Sequence, residues 1–209
     1  MPNWCNNHIT LEHDDPTMIK RAYDALERGE FLQEFIPVPK DLTETISGWV
    51  GDPVEQEKLE AQQKANVEKY GYSTWYDFCV NEWGTKWDTG EQGNNDINPN
   101  DPKMLTAGFD TAWAPPIAAY EKLMDLGFRV KAMYYEPGMC FAGVWEDGDD
   151  ECYQDWGDSQ GAVNTLPTEL DDCFGISESQ AEYEAENEET EELTEWIKDG
   201  KEKLGLVTE

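Results

Sequence analysis

The chain has 209 residues and carries 46 acidic against 15 basic side chains, a formal charge of −31, with 38% hydrophobic and 12% aromatic residues. This supplies one sizeable core with an appendage, and nine Trp exclude wholesale disorder. The charge excludes a phosphate backbone as a direct surface ligand, no apolar run approaches the roughly 20 residues of a membrane span, and the opening Met1-Pro2-Asn3-Trp4 lacks the pattern of a secretory leader, which predicts a cytoplasmic protein.

In chain order, Asn7 to His13 alternates as a first strand, with Ile9 and Leu11 on one face. Asp15-Pro16 opens a helix whose apolar face is Met18, Ile19, Ala22, Tyr23 and Leu26, and Gly29 ends it. Phe31 to Val38 is a short apolar stretch. Residues 40–73 are polar, with a weak helical pattern from about Pro53 to Tyr70, and read as a peripheral insertion. Trp75, Phe78, Cys79 and Glu82 or Trp83 fit a further helix stopped by Gly84. The Gly/Asn/Asp/Pro-rich stretch 88–102 reads as a loop. A strand from Met104 to Trp113 follows, then a helix entered through Pro115-Pro116 and closed at Gly127. Phe128–Tyr135 and Cys140–Trp145 form the clearest hairpin, turned at Pro137-Gly138, and Glu151–Trp156 adds a last strand. The order predicts an α+β, ferredoxin-like, mostly antiparallel sheet with helices on one face and a split β-α-β pattern.

The acids are unevenly spread. Residues 1–145 hold 24 acids and 12 bases, a net −12, whereas residues 146–209 hold 22 and 3, a net −19. This predicts an α+β domain over 1–156, with the insertion at about 40–73, and an acidic, mainly helical extension over 157–209.

The five Cys are widely spaced with no Cys-x-x-Cys pair, which predicts reduced thiols used mostly as small buried hydrophobes. Cys5 and His8, three apart on a strand, point to opposite faces and make a poor nucleophile–base pair. With only His8 and His13 available, and acidic turns that lack the spacing of a calcium loop, the sequence calls for no metal. There is no P-loop, dinucleotide-binding glycine pattern or Gly-x-Ser-x-Gly elbow, so neither a cofactor nor an enzymatic activity is indicated.

Two places carry candidate sites. The first is a Trp-rich cleft of Trp83, Lys86, Trp87, Trp113 and Glu136, with Lys86 set between aromatic neighbours. The alternative for these residues is structural: Gly84 at a helix end, the rings on the sheet, and Lys86 laid along a ring. Replacing Trp113 by Ala is accordingly expected to act mainly on stability. The second place is the acidic run Glu182, Glu184, Glu186, Glu188, Glu189, Glu191, Glu192 and Glu195, joined by Asp147, Asp149 and Asp150 of the turn before the last strand. Eight carboxylates over 14 helical residues lie about 2.6 Å apart along the axis, against about 1.7 Å per charge in duplex DNA. Leu193, Trp196, Ile197 and Leu204 add a narrow apolar stripe. The functional reading is a nucleic-acid mimic that occupies the basic groove of another protein, and the plainer one is a solubilising tail.

Four ordered motifs carry a family resemblance: Asn3-Trp4-Cys5-Asn6-Asn7; Trp75-Tyr76-Asp77-Phe78-Cys79 with Asn81-Glu82-Trp83-Gly84-Thr85-Lys86-Trp87; Phe109-Asp110-Thr111-Ala112-Trp113-Ala114-Pro115-Pro116; and Tyr135-Glu136-Pro137-Gly138 with Phe141-Ala142-Gly143. Together they resemble the YubB ferredoxin-like family of phages and conjugative plasmids. The resemblance implies a ferredoxin-like core and a mobile-element origin, and no catalytic residue. It covers residues 3–143, so the acidic extension stands outside it. The expected function is a non-enzymatic accessory or anti-defence protein that inhibits a host nucleic-acid-handling protein. Its partner would be a host protein with a basic groove, with no direct nucleic-acid or membrane binding and the oligomeric state open. The competing expectations are a small-ligand or peptide-binding module built on the Trp-rich cleft, and an enzyme of unrecognised type.

Overall fold

The computed structural model describes residues 3–90 and 95–203, with side chains through Lys198. The chain divides into two compact units between Cys152 and Tyr153, four residues before the domain boundary expected after residue 156.

An antiparallel sheet, all but the last two residues of its final strand within the first unit, holds β1 (Trp4–Glu12), β2 (Asp96–Ile97), β3 (Met104–Ala112), β4 (Arg129–Glu136), β5 (Phe141–Glu146) and β6 (Asp149–Gln154), in the order β2-β3-β1-β4-β5-β6. β1 pairs antiparallel with both β3 and β4. β3 and β4 therefore run parallel with β1 between them, joined through α6 (Ile117–Asp125), which is a split β-α-β unit. β2 is a two-residue strand inside the stretch read from sequence as loop. It pairs Asp96 with Thr106 and Ile97 with Leu105, an edge contact too short to leave a period-2 signal.

Period-2 alternation sends Ile9 and Leu11, Leu105 and Ala107, and Val130 and Ala132 to one face of the sheet. There they meet Ile19, Ala22 and Leu26 of α1 (Pro16–Glu27), Phe31 and Leu32 of α2 (Phe31–Phe35), Trp83 after α5 (Trp75–Glu82), and Tyr120 and Leu123 of α6. α1 begins as its sequence predicts: Asp15 accepts from Thr17 N–H and Pro16 takes the first turn. The insertion holds α3 (Lys40–Thr43) and α4 (Pro53–Tyr70), the latter capped by Asp52 and closed by Gly71. α4 buries only Asn66, whose amide donates to Thr45 Oγ1 (2.9 Å) and Ser73 O (3.1 Å); a helix with so little apolar face leaves the weak pattern seen in the sequence.

The second unit comprises α7 (Ser159–Thr165), α8 (Thr168–Phe174) and α9 (Ile176–Lys203). Trp156, Ala162, Leu166, Leu170 and Ile176 are buried. Polar pins fix the start of α9: Asp171 accepts from Ser177 N (2.7 Å) and Oγ (2.6 Å), and Trp156 Nε1 donates to Gln180 Oε1 (3.0 Å). Leu204 of the predicted apolar stripe lies outside the described residues.

Candidate functional site

One end of the sheet gathers all four sequence motifs: the start of β1, the end of β3, the loop after α5, and the turn from β4 to β5. The geometry of the loop after α5 follows from its residues. Trp83 ends α5 and Gly84 reverses the chain at φ +86°, where a Cβ would lie 3.2 Å from Ile117 N. Thr85 is buried; its hydroxyl donates to Ala112 O and accepts from Ala112 N–H, both at 3.1 Å, which pins the loop to the end of β3. Three residues on, Asp88 accepts from Leu32 N–H, Gln33 N–H and Thr89 N–H, each at 2.8 Å. Burial pushes the Asp88 carboxyl above its ordinary value, and those three amides pull against it. The two residues between the pins, Lys86 and Trp87, are thus held from both sides.

The Lys86 ammonium lies over the Trp87 ring at 4.4 Å, over Trp113 at 5.3 Å and over Tyr76 at 5.9 Å. Trp4 stands 6.0 Å from Trp87 at an interplanar angle of 40°. Trp4, Trp87 and Trp113 are 44%, 38% and 43% exposed. Trp113 adopts φ +71°, a left-handed conformation that costs a non-glycine residue about 1–2 kcal/mol. Its position is fixed nonetheless: its N–H donates to Asn3 O (2.9 Å), and the Thr111 hydroxyl donates to Ala114 O (2.8 Å).

Of the five residues assigned to the cleft from sequence, the structure brings together Lys86, Trp87 and Trp113. Trp83 belongs to the core, 4% exposed, and its Nε1 donates to Ile36 O (2.9 Å). Glu136 is buried, and its carboxylate accepts from the amides of Gly138 and Met139, so it caps the turn between β4 and β5. Sequence reasoning missed Trp4 and Tyr76, although both lie inside the quoted motifs. It also missed Asn7, which is 3% exposed. Asn7 Nδ2 donates to Cys5 O and Thr111 Oγ1, both at 2.8 Å, and its Oδ1 accepts from Tyr120 Oη at 3.3 Å. A polar residue on the inward phase of β1, between Cys5 and Ile9, is the signal that would have found it.

Burial, and then the Glu136 charge, push the Cys5 thiol up to about 12; burial and then Asp88 do the same for Cys79. Neither is a nucleophile near neutral pH. Cys140 is only half-buried, and Cys152 and Cys173 are exposed, so the expectation of buried thiols holds for two of the five. At the other end of the sheet lies a cavity of about 330 Å³ bordered by Glu12, His13, Lys103 and Arg129. Both of its cations are paired, and Asp101, which also lines it, accepts from Lys103 N–H (3.0 Å). Arg129 pairs with Glu12 and Lys103 with Asp14, while His13 Nδ1 accepts from Asp15 N–H (2.9 Å) and Nε2 faces Leu126 O (3.2 Å). Among the described residues, no group of three or more His, Cys, Asp or Glu side chains is placed to hold a metal ion.

The acidic residues divide by role. Glu184 accepts from Ser159 N (2.8 Å) and Oγ (2.6 Å), which makes it a pin within the second unit. Asp147, at φ +45°, accepts from Val130 N–H, and Asp150 accepts from Tyr134 Oη at 2.7 Å, so both serve the hairpin. Asp149 is exposed, as are Glu182 and every residue of α9 from Ala185 through Lys198. That face includes Glu186, Glu188, Glu189, Glu191, Glu192 and Glu195, together with Leu193, Trp196 and Ile197 at 56%, 72% and 42% exposure. No described helix is long and apolar enough to cross a membrane.

No family model matches the chain, and no curated protein does. Among solved structures, it is similar to protein Api92 from Yersinia pseudotuberculosis, assigned to the family model DUF1281. The identity is 13% and the TM-score 0.42, over 74% of this chain and 99% of that one.

Proposed function

We propose that the protein is a non-enzymatic phage- or plasmid-borne accessory protein. It would bind and inhibit a host nucleic-acid-handling or defence protein in the bacterial cytoplasm through an acidic, nucleic-acid-mimicking surface. The observation that carries this reading is the exposed stretch of α9. Without Glu184, seven carboxylates of the run remain, one per about 3 Å of axis, close to the 3.4 Å of a single DNA strand. Only Lys198 offers a base among the described side chains of α9. Exposed Leu193, Trp196 and Ile197 supply the apolar anchors that a tight interface needs at its centre. The ferredoxin-like assignment rests on the split β-α-β unit, and the mobile-element origin on the four-motif resemblance.

The test is affinity capture from a bacterial lysate at low and at high salt, followed by competition. A mimic retains a basic nucleic-acid enzyme at low salt, releases it at high salt and loses it to added duplex DNA. Replacing Glu186, Glu188, Glu189, Glu191 and Glu192 together by Gln should abolish retention. Retention that DNA does not compete, or that survives the five replacements, would sink the reading.

A further inference from the structure

In a chain with 46 carboxylates, Lys86 makes no ion pair and no hydrogen bond among the described residues. Among the described residues, at least nine other cationic side chains pair with carboxylates, from Lys20 with Asp24 to Arg129 with Glu12. The acid in its own loop, Asp88, is committed to three backbone amides. The ammonium is instead set among aromatic rings, which attract its charge but accept none of its three N–H donors in the manner of an oxygen.

We propose that Lys86, with Trp87, Trp113 and Trp4, forms a binding site for a small aromatic carboxylate. The ammonium supplies a charge-assisted hydrogen bond to one carboxylate oxygen. The half-exposed indoles supply faces for the planar body of the ligand, whose stacking adds to its burial. A single cation in a protein of charge −31 favours a monoanion over a phosphate dianion, because the surrounding field repels two charges more than one. The pins at Thr85 and Asp88 and the left-handed Trp113 hold the rings in place before a ligand arrives, so little ordering cost falls on binding. The site lies in the first unit and does not depend on the acidic helix.

The experiment follows the indole N–H signals of the full-length protein by NMR, assigned through single Trp→Phe variants, during titration with sodium benzoate. Trp87 and Trp113 signals should move saturably, with a dissociation constant of about 1–10 mM for a ligand this small. Benzamide, which keeps the ring without the charge, and acetate, which keeps the charge without the ring, should each bind at least about tenfold more weakly. Lys86→Gln should weaken benzoate by a similar factor with unchanged melting. Equal binding of benzamide overturns the ion pair, and equal binding of acetate overturns the aromatic platform. Tighter binding of phenyl phosphate overturns the carboxylate assignment. Absence of saturation below roughly 50 mM benzoate removes the site altogether. Should Lys86→Gln fail to fold, the benzoate–benzamide comparison on the unaltered protein decides alone.

Discussion

Replacing Asn7 by Leu tests whether the end of the sheet is held by its buried polar network. Asn7 is 3% exposed and Tyr120 fully buried, so neither loses a partner to water cheaply. Leu repeats the branched skeleton of Asn with bulkier ends and leaves no cavity, but it removes the acceptor of the Tyr120 hydroxyl and the donor to Cys5 O and Thr111 Oγ1. An orphaned buried hydroxyl costs about 1–3 kcal/mol, and each lost hydrogen bond about 1 kcal/mol net. The apolar side chain returns roughly 1–2 kcal/mol, so the net loss should be about 2–3 kcal/mol. The assay is urea unfolding of the first unit's transition, followed by Trp fluorescence with an unchanged m-value. Tyr120→Phe removes the hydroxyl alone and should cost about 1 kcal/mol. In the double variant nothing is left unpaired between the two positions, so it should recover at least about 1 kcal/mol relative to additivity. Strict additivity, or a loss below about 1 kcal/mol in Asn7→Leu, would refute the view that this network is a structural unit.

Trp113→Gly should be less destabilising than Trp113→Ala by about 1 kcal/mol in chemical denaturation, because glycine is at ease at φ +71° and alanine is not. With the ring 43% exposed, Trp113→Ala itself should cost well under the 3–5 kcal/mol of a buried Trp. Gly143→Ala should be severe, about 3 kcal/mol or more, since its Cβ would overlap the Tyr134 hydroxyl and lie 2.7 Å from Glu151 O. Gly175→Ala is the control: its φ of +60° predicts a loss of about 1 kcal/mol, with nothing within 4 Å to strike. In acid, Asp15 is held below its ordinary value of 3.8 chiefly by the Thr17 N–H, and Asp41 chiefly by Lys69. Depressed carboxyls stabilise above the unfolded value and lose that contribution as pH falls through the folded one. Urea midpoints should therefore rise from pH 2 to about 4, and Asp41→Asn should flatten that limb. Asp88, pushed upward, works in the opposite sense as pH climbs from 3.8 through its raised value. A limb unchanged in Asp41→Asn would remove Asp41 as a cause.

Local chemistry was legible in the residues themselves. Asp15-Pro16 starts α1, Gly84 ends the α5 segment, Pro137-Gly138 turns the hairpin, and alternation through Ile9 and Leu11 marks the buried face of β1. These features act over a few bonds or one helical turn, so spacing alone carries them. The excess of acid after residue 146, and the helix able to display it, were equally plain. What each side chain faces was decided by contacts between residues far apart in the chain. Trp83 and Trp87 are four residues apart, yet one fills the core and donates to Ile36 O while the other lies tilted beside Trp4. Glu184 reads like its neighbours in the run until Ser159 claims its carboxylate, and Glu136 looks like a cleft acid until the Gly138 and Met139 amides turn it inward. Composition counts charges and rings, but only the packed chain determines which of them are already paired. Among the described residues, Lys86 among its indoles and the open face of α9 are two such groups left for a partner.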